Sequence, residues 1–169
     1  MSYGIIHCCG SIQYGVAVPE LQISHIDHLV LTVRNLKATC QFYSQVLGMT
    51  VVTFGEGRTA LRFGHQKINL HLAGAELAPH TSCPLPGSAD LCLMLAPPLA
   101  TPLAGTKVTD PLQHAIAHLQ ALNVPVLMGP VRRTGAIGPI ESIYLRDPDG
   151  NLIELARPLT WQGESGAGD

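Results

Sequence analysis

The sequence predicts an α+β fold in which two βαβββ modules pair into a cupped, barrel-like mixed sheet with the helices outside. Three observations carry that expectation. A strand with alternating apolar residues followed by a helical stretch occurs twice, at 25–49 and again at 88–122. Each pass continues into three short segments that alternate with period two. Neither pass alone has enough apolar surface to cover both faces of a four-stranded sheet, so the two must share a core.

The elements follow in order. "HIDHLVLTV" (25–33) alternates as a strand, and "NLKATCQFYSQVLGM" (35–49) places Leu36, Phe42, Tyr43, Val46 and Leu47 at helical spacing. Gly48 lies where such a helix stops. Strands are expected near 50–54, 58–63 and 67–73, the last two joined by Gly64-His65-Gln66. The second pass opens at "SADLCLML" (88–95). The stretch 96–110, rich in Pro, Ala and Gly, has no periodicity and is expected to be an inserted loop. Asp110 and Pro111 supply an N-cap and a first-turn proline for a helix to about Leu122. Strands are then expected near 124–128, 140–146 and 151–157. The division is an irregular arm over 1–22, one domain over 23–158 with modules at 23–75 and 87–158, and a tail over 159–169.

Composition narrows the function classes. In 169 residues, 46% are hydrophobic and 13% charged, which suits one packed domain. The formal charge of −2 and the lack of a basic stripe argue against nucleic-acid binding. The apolar runs are too short for a membrane span, so no membrane partner is expected. The five cysteines form no C-x-x-C pair, which points away from a disulfide framework or structural zinc and toward a reducing, cytoplasmic setting. The first 20 residues lack the basic start and apolar centre of a signal peptide.

Alternation assigns faces. Leu29, Leu31 and Val33, then Leu91, Leu93 and Leu95, then Ile68, Leu70 and Leu72 define the helix-covered sides. The opposite, inner sides carry His28, Asp90, His71 and Glu154, one polar side chain from each of four strands. The repeat is expected to superimpose His28 on Asp90 and His71 on Glu154. Imidazoles and carboxylates converging from rigid strands suit one divalent ion, with Zn, Ni, Mn, Fe and Co all compatible. Each residue alone reads more readily as a solvated or hydrogen-bonded group; four on corresponding strands favour a metal site of His28, His71, Glu154 and Asp90. Asp90 and Glu154 are also the candidate catalytic carboxylates, although "GSAD" could instead be a self-capping turn. Arg62, Tyr144 and Arg146 are expected on the inner side, and "RRTGAIGPI" (132–140), with Arg133, is a candidate lid. Arg62, Tyr144 and Arg133 are the candidate substrate contacts.

Rival sites are weaker. His25 and His28 fall on opposite faces of a strand, and His114 with His118 form a wet helix face beside the buried stripe of Leu112, Ile116 and Leu119. "DPDGNLIE" misplaces the glycine and glutamate of a calcium loop. There is no G-x-S-x-G, and Cys92 has neither a helix N-terminus nor a basic partner to activate it, so a packed thiol is expected.

"DHLVLTV", "FYSQVLGM", "INLHL" and "YLRDPDGNLIEL" resemble the vicinal oxygen chelate superfamily of glyoxalases, bleomycin and fosfomycin resistance proteins and extradiol dioxygenases. "FGHQKINLH", "PGSADLCL" and "GPVRRTGAIGPI" are most similar to its glyoxalase domain-containing proteins and their bacterial relatives. The resemblance covers roughly 24–157. It implies paired βαβββ modules around a divalent metal, with ligands at the places of His28, His71, Asp90 and Glu154. Glyoxalase-like sites have Glu or Gln at the place of His71 and His at that of Asp90, whereas extradiol dioxygenases use His at the places of His28 and Asp90 with Glu at that of Glu154. The implied activity is a glyoxalase-like isomerase or lyase acting on a small α-oxo substrate, with an Fe(II) dioxygenase or a non-catalytic binding protein as alternatives. A homodimer is the implied assembly.

Overall fold

A computed structural model describes residues 20–96 and 110–159. The first module runs β1 (His28–Val33), α1 (Leu36–Gln45), β2 (Thr50–Phe54), β3 (Arg58–Phe63) and β4 (Gln66–Leu72). The second runs β5 (Asp90–Met94), α2 (Pro111–Ala121), β6 (Met128–Thr134), β7 (Pro139–Arg146) and β8 (Leu152–Pro158). Each forms a separate four-stranded mixed sheet, in the order β1-β4-β3-β2 and β5-β8-β7-β6, and neither closes into a barrel. The first and last strands of each module pair in parallel, and the other pairs are antiparallel. The β1–α1 and β5–α2 crossovers supply the long connections that parallel pairing requires. The expected arm, insertion and tail fall wholly or largely outside the described residues.

Local chemistry sets the helix ends. The Asn35 side chain accepts from Ala38 N at 3.0 Å and caps α1, while Gly48 takes a left-handed φ of +68° just beyond it. The carboxylate of Asp110 accepts from Leu112 N at 2.8 Å, with Pro111 opening α2. Both helices lay their apolar stripes on one continuous core that includes Val33, Tyr43, Leu61, Ile68, Leu112, Leu119, Ile143 and Ile153.

Two expectations are corrected here. The strand placed near 124–128 begins instead at Met128. Val124 and Val126 are half-buried against the core, but Pro125 has no N–H to donate, and the ladder to β7 starts only with Leu127 N donating to Tyr144 O at 2.7 Å. The candidate lid, 132–140, is a hairpin. It is the end of β6, a tight turn closed by Gly135 N donating to Gly138 O at 2.8 Å, and the start of β7. Leu72, assigned to the helix-covered side, is 39% exposed at the end of its strand.

The modules meet through "RDPDGN". Buried Asp147 accepts from Asp149 N, Asn151 N and Asn151 Nδ2, and also from the Tyr43 hydroxyl on α1 at 3.0 Å. Asp149 accepts from Arg34 N at 3.0 Å, while Arg34 Nη1 donates to the Asp149 carbonyl at 3.1 Å. Burial and the negative charge of Asp147 push the Tyr43 phenol well above its ordinary range.

Candidate functional site

The pairing registers set the rows on the inner faces. In the first module His28 lies beside Lys67, which faces Arg62; Val30 lies beside Asn69, and Thr32 beside His71. In the second, Asp90 lies beside Leu152, and Cys92 beside Glu154, which faces Tyr144. Matching His28 to Asp90 therefore matches Asn69, not His71, to Glu154. The expected superposition of His71 on Glu154 is off by one inner-facing position, because alternation fixes the face of a residue but not its row.

Four inner-face atoms are buried without a hydrogen-bond partner among the described residues: Glu154 Oε1, Asn69 Oδ1, His71 Nδ1 and Ser142 Oγ. A buried polar atom left unpaired is costly, so such a group marks a place where something else completes its bonding. His28 is prepared differently. Its Nδ1 donates to Asp27 Oδ1 at 2.6 Å, and this bond, ahead of neighbouring charges, holds the Asp27 carboxyl below its ordinary range. A neutral imidazole bonded in this way presents an unprotonated Nε2, the arrangement in which histidine binds metals. Asp27 was not picked out from the sequence; the signal was its position beside His28.

Across the β5–β8 ladder, the Cys92 thiol faces the Glu154 carboxylate. Partial burial first, and the charge of Glu154 second, push that thiol up to about 11, so it stays protonated at neutral pH. Cys92 is an exposed residue rather than the packed one expected. Tyr144 accepts from Arg133 Nε at 3.0 Å, and the Arg133 guanidinium lies 5.5 Å from the Tyr144 ring centre. Arg146 is spent on the Gly150 carbonyl at 2.7 Å. A cleft of about 400 Å³ lies over the inner face of the first module, between Val30, Thr32 and His71 and the connecting segment Pro79-His80-Thr81. His80 is a further residue that periodicity could not find, since it lies outside any strand.

The donor types suit a divalent ion, yet no three His, Cys, Asp or Glu side chains converge among the described residues. His28 and Val30 on one inner face, and Asp90, Cys92 and Met94 on the other, are open to solvent. The candidate residues thus lie on two separate inner faces. A cavity of about 490 Å³ at the module junction is lined largely by apolar residues, with His114 and His118 on its wall. His118 Nε2 is engaged with the Val46 carbonyl at 3.1 Å, and both histidines are exposed. Among the described residues no helix is long and apolar enough to cross a membrane.

With this architecture and these two faces described, comparison with known proteins identifies the class. The family model for the Glyoxalase/Bleomycin resistance protein/Dioxygenase superfamily matches residues 25–155. The chain belongs to that superfamily. It is 48% identical over 137 residues to glyoxalase domain-containing protein RDO1 of Mycosarcoma maydis, covering 81% of this chain and 70% of that one. It is 45% identical to virulence protein STM3117 of Salmonella typhimurium over 82% of this chain and 87% of the relative. The crystal structure of STM3117 superposes with a TM-score of 0.72, covering 82% of this chain and all of that one. An integron cassette protein from Vibrio cholerae, 48% identical, gives 0.71 over 82% of this chain and 98% of its own.

Proposed function

We propose that the protein is a divalent-metal-dependent enzyme of the glyoxalase type, an isomerase or lyase acting on a small α-oxo compound. The observation that carries this reading is the buried, unpartnered carboxylate oxygen of Glu154 on the inner face that also bears Asp90. His28, Asp90 and Glu154 are the principal ligands, with Asn69 and His71 as competing fourth donors from β4. The ion, when bound, supplies Lewis acidity toward two oxygens of the substrate. Asp90, exposed on its strand, is the carboxylate placed to take and return a proton at the substrate carbon. The Arg133–Tyr144 pair orients a substrate oxygen.

His28 and Glu154 belong to different half-sites, so the reading requires a homodimer in which the first module of one copy faces the second module of the other. Val30 (46% exposed), Met94 (53%) and Met128 (52%) support it as apolar residues left open on the inner faces.

Elemental analysis of the purified protein tests the reading. Glu154→Gln should lower metal occupancy while leaving the circular dichroism unchanged. Asp27→Asn should weaken metal affinity by about tenfold or more, since it removes the acceptor that fixes the His28 ring. Comparing Asn69→Ala with His71→Ala then identifies the fourth donor. If the wild type holds no metal and none can be added back, the enzyme reading is lost and a non-catalytic small-molecule binder takes its place.

A further inference from the structure

The inner face of the first module carries more positive charge than its fold requires. Arg62 and Lys67 are direct cross-strand partners, and like charges placed opposite each other destabilise an antiparallel pair. Arg58 joins them on the same face: it pairs with Phe54, and its guanidinium carbon lies 4.6 Å from the Phe54 ring centre. Lys67 Nζ lies 4.0 Å from that same ring centre. One aromatic ring therefore gathers two cations beside a third, and no acid occupies an inner-facing position of β1 to β4.

None of the three cations forms an ion pair or a side-chain hydrogen bond among the described residues. The nearby acid, Asp27, is engaged with His28. Arg62 and Lys67 instead line a concavity of about 290 Å³ with Asp27, His65 and Gln66. Guanidinium and ammonium donors left without acceptors on one face suit the oxygens of an anion.

We propose that this face recognises an anionic group of the substrate, a carboxylate or a phosphate, through Arg62 and Lys67 with Arg58 at the edge. Lys67 is on the strand next to His28 and Arg62 on the strand beyond. The substrate class is then a small oxo acid or phosphorylated oxo compound, its anionic end on this face. The substrate assignment rests on the proposed metal-dependent function; the anion site itself does not.

The test is thermal unfolding of the full chain with inorganic phosphate or malonate, against sodium chloride at equal ionic strength, with metal content measured in parallel. Either probe should raise the wild-type midpoint, and the responding probe distinguishes phosphate from carboxylate. Arg62→Gln and Lys67→Met should each weaken that probe by about tenfold or more. Both should leave metal content unchanged, and Arg62→Gln should not lower the ligand-free midpoint, because it relieves a like-charge pair. A cation with a purely structural role would lower it. The anion site is overturned if neither probe stabilises the wild type, or if both variants respond as the wild type does. Loss of metal binding with the anion response intact would remove the metal-dependent reading alone.

Discussion

The Asp147 carboxylate ties the β7–β8 turn to α1, and its bond from the Tyr43 hydroxyl is the one that crosses between modules. Tyr43 is fully buried, so Tyr43→Phe keeps the packing and removes only the donor. The expected loss is about 1–2 kcal/mol at pH 7, measured by urea unfolding. The pH dependence has a definite sign. The folded-state phenol is raised above its unfolded value near 10, so the unfolded chain releases that proton first. Its contribution is complete below pH 10 and is lost as pH climbs beyond it. Wild-type stability should therefore fall between pH 9.5 and about 11 more steeply than that of Tyr43→Phe. Parallel slopes would mean that Tyr43 does not titrate as its burial requires.

At the scale of elements, α2 depends on an acid with two tasks. Asp110 caps the helix and also pairs with Arg157 Nε on β8 at 3.1 Å, while Arg157 Nη2 reaches Glu141 at 2.7 Å. Asp110→Asn should keep the cap and lose the ion pair, whereas Asp110→Ala loses both and should cost about 1 kcal/mol more. Equal losses in thermal unfolding would show that the cap contributes nothing. The capping half of this arrangement was legible in the sequence, because Asp-Pro ahead of an apolar stripe is a local signal. So was the face of Glu154, since the turn before it sets the register of β8. What was not legible was long-range. The start of β6 depends on where a ladder to β7 forms, and the match of Asn69 to Glu154 depends on which residues of β1 and β4 lie side by side. Arg58 and Lys67 were passed over for the same reason: only the pairing of β2, β3 and β4 brings them to one ring.

At the scale of the whole molecule, the candidate donors of one chain lie on two separate inner faces, which the proposed function treats as half-sites. Their side chains are complementary: the first module offers imidazoles and cations, the second carboxylates. A two-fold dimer that set the first module of each copy against the second module of the other would complete two equivalent sites. Such an assembly predicts rescue between two defective chains. His28→Ala spoils the first-module half and Glu154→Gln the second-module half, so each homodimer has no complete site. When the two variants are unfolded together, refolded and allowed to exchange, half of the dimers are mixed. Each mixed dimer pairs the intact His28 of one chain with the intact Glu154 of the other at one of its two sites. Metal occupancy should thus recover to about a quarter of the wild-type value, although neither variant alone binds. A site contained within one chain would give no recovery at any mixing ratio, and sedimentation of the wild type as a monomer in the presence of metal would exclude the shared site independently.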